Sequence, residues 1–162
     1  MNAIIGSALR RGMVSETTWV KIVIAGWLLL MAIPAFQKAL PSSYWMTVTS
    51  IYVHDAVADT QPKMDVDRQI NRPFTGKWIV EIERKTIRNT FYLTCMGQGE
   101  ASYTSDRELP DQLDLEWWAG RKCLLPAGEY RVETTWIFPY GQVLRKFSNV
   151  FEIKTPTQII AK

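Results

Sequence analysis

Fifteen consecutive apolar or small residues, Ile22 to Phe36, constrain everything else this chain can do. As a helix rising about 1.5 Å per residue they reach roughly 22 Å, short of a hydrocarbon core of about 30 Å. The flanks supply the remainder. Trp19 and Lys21 precede the run, and Lys38, Tyr44 and Trp45 follow it. Lysines snorkel toward headgroups and aromatic rings suit the interface. The run carries Trp27 and Leu29, ends on Phe36, and is apolar on every face at Leu28-Leu29-Leu30-Met31, unlike an amphipathic core helix. The expectation is one transmembrane signal-anchor helix over residues 16–40. Ser15 can cap it, Glu16 suits its first turn, and Pro34 is tolerable near the outer end.

Charge orients the segment. Arg10, Arg11 and Lys21 stand before the apolar run and only Lys38 closely after it. The positive-inside rule then places residues 1–15 as a cytoplasmic tail, either frayed or, with Ile4, Ile5, Ala8 and Leu9 on one face, a short interfacial helix. Residues 41–162 become an extracytoplasmic, periplasmic or extracellular domain. The formal charge of +3 belongs to the anchor. Beyond Pro41 the fifteen basic residues balance fifteen acidic ones, which argues against a nucleic-acid surface. A cleaved signal peptide is the alternative. Its best cleavage point, after Ala35, has Ile33 at the −3 position, Pro34 between and Phe36 following, and 21 residues precede the apolar core.

The remainder reads as strands. Tyr44–Val53, Gly76–Lys85, Thr90–Met96, Leu113–Trp118, Glu129–Ile137, Val143–Lys146 and Asn149–Ile153 alternate or are rich in β-branched and aromatic residues. Residues 54–73 are polar, hold two prolines, and read as a long loop. Gly97-Gln98-Gly99 and Pro139-Tyr140-Gly141-Gln142 read as turns, and the tail TPTQIIAK as a frayed end. Seven short strands with Gly and Pro between them predict an all-β antiparallel sandwich. Cys95 and Cys123 lie in the exported part, either as a disulfide or as two buried thiols.

Leu125-Pro126-Ala127-Gly128-Glu129-Tyr130-Arg131-Val132 resembles the approach to the penultimate strand of fibronectin type III and related immunoglobulin-like domains. The resemblance covers some thirty residues. It implies an immunoglobulin-like sandwich in which Tyr130 forms a tyrosine corner, its hydroxyl turned back onto the preceding loop. It carries no implication for activity, because such sandwiches host many roles.

Catalytic signatures are wanting. The single histidine, His54, precedes Asp55, and strand neighbours point to opposite faces, so the pair is no ready dyad. No G-x-S-x-G elbow, phosphate loop or dinucleotide fingerprint occurs. Asp55, Asp59, Asp65 and Asp67 lack calcium-loop spacing, and one histidine with two distant cysteines is a poor zinc set. Asp111, Asp114 and Glu116 alternate with Leu113, Leu115 and Trp117 as a solvated strand face. No cofactor, metal or enzymatic activity is expected. What stands out is aromatic content: Trp117, Trp118, Trp136, Phe138 and Tyr140 fall within 24 residues. With Trp117 and Trp136 turned inward, Trp118, Phe138 and Tyr140 form the candidate contact patch, the alternative being core packing with a packed loop. The expected partners are the lipid bilayer and a protein of a membrane or envelope assembly. The expected settings are a bacterial envelope complex, a secretion assembly, or a phage-encoded component of an envelope or virion membrane. The alternative is a secreted carbohydrate-binding or adhesin-like sandwich, which needs Trp118 exposed; an envelope enzyme using the loop acids has no positive support.

Overall fold

The computed structural model describes residues 16–106, 109–110 and 112–156. The expectations for the tail 1–15, its Arg10 and Arg11, the Ser15 cap, Asp111 and residues 157–162 lie outside them. The described chain divides between Ala39 and Leu40 into two compact units.

The first unit is helix α1, Glu16–Ala39, running through Pro34. Its stretch Thr18–Ala39 is long and apolar enough to cross a membrane. Its large apolar side chains are exposed: Trp27, Leu29 and Phe36 by 61%, 68% and 69%. Trp19 is exposed in the same way, and Lys21 and Lys38 sit near either end.

The second unit is mostly β. A 3-10 turn at Ser42–Tyr44 leads into β1 (Met46–Val53), β2 (Ala56–Val57), β3 (Lys63–Ile70), β4 (Phe74–Lys85) and β5 (Phe91–Tyr103). Then come β6 (Leu113–Asp114), helix α2 (Leu115–Ala119), β7 (Gly128–Ile137), β8 (Val143–Phe147) and β9 (Phe151–Lys154). One sheet has the order β1-β3-β6; the other runs β2-β9-β7-β4-β5, with β8 also on β7. All pairs are antiparallel except β2 with β9. One core takes residues from both sheets: Met46, Ile51, Val53 and Met64 from the smaller, Val80, Ile82, Val132, Trp136 and Ile153 from the larger. Asn149 ties the sheets together at one edge. Its side-chain amide accepts from Val53 N–H at 2.7 Å and donates to Val53 C=O at 2.9 Å, as a neighbouring strand would.

Three sequence readings need correction. Residues 54–73 are not one long loop, because β2 and β3 lie within them. β3 does alternate: Met64, Val66, Arg68 and Ile70 are the less exposed set, Lys63, Asp65, Asp67 and Gln69 the exposed one. A charged residue in an apolar slot hid that period. Gly97-Gln98-Gly99 is no turn, since β5 continues to Tyr103. The glycines are there for packing: a Cβ on Gly97 would lie 1.6 Å from the Ala119 carbonyl oxygen. Finally, Leu115–Ala119 is helical. Gly120, at φ 64°, ends it, and its N–H donates to Trp117 C=O.

Tyr130 is fully buried, stacks near Phe151, and donates from its hydroxyl to Pro126 C=O at 2.6 Å. Tyr130→Phe removes that bond while keeping the ring. The expected cost is about 1–2 kcal/mol, read as a lower urea midpoint with unchanged slope.

Candidate functional site

The two sheets differ in width, and the difference opens a pocket. β6 pairs only with Lys63 and Met64. Among the described residues no strand flanks β3 on that side from Asp65 to Ile70. The inward-facing positions of β5 here are Gly97, Gly99 and Ala101, too small to fill the space. Helix α2 closes one end, and a cavity of about 180 Å³ remains.

Its floor is Trp78 and Val80 of β4 with Thr134 and Trp136 of β7. Its walls are Ala101 to Thr104 on one side, Arg68 of β3 on another, and Trp117 and Trp118 of α2. The rings are held by specific contacts. Trp118 Nε1 donates to Thr134 Oγ1 at 3.0 Å, and its ring meets Trp136 edge-on at 6.1 Å between centroids. Trp78 lies over backbone: a Cβ on Gly99 would come within 2.7 Å of its ring, and one on Gly120 within 2.6 Å. The Arg68 guanidinium sits 5.3 Å from the Tyr103 ring centroid and 5.8 Å from that of Trp118. Such cation–π contacts are stronger where water is excluded. Burial pushes the Tyr103 hydroxyl above the ordinary phenol pKa, and nearby Arg68 pulls the other way.

The expected contact patch is therefore corrected. Trp118 is 8% exposed and Phe138 2%, the latter packed on Phe74; Tyr140 is 39% exposed. The cause is the change of period from two to 3.6: Leu115, Trp118 and Ala119 share one helical face and are buried, leaving Trp117 at 56% exposure. The carbohydrate platform that needed an exposed Trp118 is absent at that position. Residues that sequence reasoning missed are Arg68, Trp78 and Tyr103. The available sign was an arginine in the third slot of Met64-Val66-Arg68-Ile70, opposite a Gly-x-Gly-x-Ala strand.

The other predicted residues fall elsewhere. Cys95 and Cys123 form a disulfide that fastens the segment after α2 to β5. Arg121 reinforces it, donating to Met96 C=O at 3.3 Å. His54 and Asp55 part company: His54 Nε2 meets Asp65 Oδ2 at 2.7 Å, while Asp55 accepts from Glu152 N–H. Asp114 pairs with Lys63. Among the described residues no group of three or more His, Cys, Asp or Glu could hold a metal.

No family model, curated protein or solved structure matches the chain.

Proposed function

We propose that this protein is a membrane-anchored binding module whose α1 crosses the cytoplasmic membrane with the N-terminus inside. The β domain then lies in the periplasm or outside the cell. The observation that carries the reading is the pairing of a bare apolar helix, with no soluble face, with a separate β unit that has its own core. The Cys95–Cys123 disulfide agrees with an oxidising compartment. Confinement to a layer raises the domain's effective concentration toward membrane-associated partners. The work is recognition rather than catalysis, in an envelope assembly or a virion membrane, and the pocket under β5 replaces the Trp118 patch as its contact site.

The same reading takes the domain to be an immunoglobulin-like sandwich. The two sheets β1-β3-β6 and β9-β7-β4-β5, the parallel β2–β9 contact and the Tyr130-to-Pro126 hydrogen bond all support it. α2 and the two-residue β6 occupy the place where such sandwiches carry fuller strands.

Intact mass from carbonate-washed membranes tests the anchor. The expected result is a chain in the pellet that retains its N-terminal segment. A soluble chain beginning near Phe36 would replace the anchor with a secreted module.

A further inference from the structure

Two features meet at β5. It is the last strand of the larger sheet, so among the described residues no strand pairs with its outer side. Antiparallel backbone groups alternate in direction along a strand. Met96 C=O accepts from Arg121, so it faces that open side. The register from Cys95 to Tyr103 is unbroken, which turns the N–H and C=O of Gln98, Glu100 and Ser102 the same way. No proline interrupts this stretch and Glu100 is its only charge. These six backbone groups are a template for another extended chain.

The second feature is the pocket beneath that edge. In an added strand, alternate side chains would point under β5, toward Ala101 and the cavity. An apolar cavity of about 150 Å³ holds benzene, so 180 Å³ suits one six-membered ring. The lining is mainly aromatic, with Arg68, Tyr103 and Thr104 as further polar groups, and suits a flat ring. Thr134 Oγ1 already accepts from Trp118, Ser102 Oγ is bonded to Thr75, and no carboxylate or amide side chain lines the described wall. Residues 1–15, 107, 108, 111 and 157–162 contain no aromatic, so this chain's own segments outside the described residues cannot supply the ring.

We propose that β5 and the pocket together receive an extended segment of a partner protein. It adds as a strand beside Gln98–Ser102 and inserts one Phe or Tyr ring against Trp78, Trp118 and Arg68. Backbone bonds supply affinity and the ring supplies selectivity. The inference rests on the reading of the domain as a binding module and names its partner class.

The test uses the full chain in lipid nanodiscs to select short random peptides by display, with p-cresol, the tyrosine side-chain analogue, as a separate probe. The expected peptides share a single aromatic residue, and its change to Ala weakens binding about 100-fold. N-methylation of alternate backbone nitrogens, one register only, costs about tenfold or more. Ala101→Leu fills the pocket and abolishes binding. Trp117→Ala, at an exposed wall where folding is not at stake, weakens it about tenfold. Four results overturn the proposal: no selected peptide, peptides without a common ring, equal sensitivity in both methylation registers, or undiminished binding to both variants. Binding of p-cresol without peptides would also overturn it, marking a small-molecule site. A protein that fractionates as soluble while peptides still bind would sink the anchor and leave the pocket assignment standing.

Discussion

Trp136→Ala is expected to destabilise the β domain by about 3–5 kcal/mol, the upper range for deleting a buried ring. Trp136 is 1% exposed. Its strand register places it between Trp78 of β4 and Leu144 of β8, and its ring meets Trp118 of α2. The space left by the ring would open directly into the cavity above it. Relaxation cannot close that space cheaply, because Gly99 and Gly120 already hold Trp78 against backbone. Trp136→Phe keeps an aromatic floor and should cost less than half as much. Urea unfolding of the detergent-solubilised chain, followed by far-ultraviolet circular dichroism, gives the comparison. A loss below 1 kcal/mol for the alanine variant would mean that α2 does not depend on this floor. Since domains hold only about 5–15 kcal/mol in all, the alanine variant should lie close to the limit of folding.

Loss of the Cys95–Cys123 disulfide is the second large effect. The bridged positions are 28 residues apart in sequence. Chain-entropy reasoning for a loop of that length gives about 3–4 kcal/mol. The double variant Cys95→Ser/Cys123→Ser should lower the urea midpoint correspondingly, and added reductant should reproduce the shift in the native chain. The bridge pins the segment after α2 to the edge strand, so its removal also loosens Trp117 and Trp118 at the pocket wall. Ring binding should therefore weaken in the reduced protein under conditions where the sheets remain formed. An unchanged midpoint on reduction would show that β5 is fixed by its ladder with β4 alone.

Where local pattern and tertiary demand agree, the fold could be read from the residues. Ile22–Phe36 reads as a continuous apolar helix, and α1 covers it. Trp78, Val80 and Ile82 kept strict alternation, as did Tyr130, Val132, Thr134 and Trp136, and both sets are inward-facing in the structure. The pocket was not legible because each of its parts breaks such a rule. Arg68 occupies an apolar slot of β3 because aromatic rings surround it there. Gly97 and Gly99 resemble a turn, yet they are strand residues that admit Ala119 and Trp78. Leu113–Trp118 satisfies both a period of two and, from Leu115, a helical face; only the Gly120 stop and the space over β5 decide between them.

Protease digestion of intact spheroplasts carrying terminal tags reads the sidedness of the proposed anchor. The expected result is loss of a C-terminal tag while an N-terminal tag stays protected inside the membrane. A protected C-terminal tag in sealed spheroplasts, degraded only after lysis, would place the β domain in the cytoplasm and contradict the account.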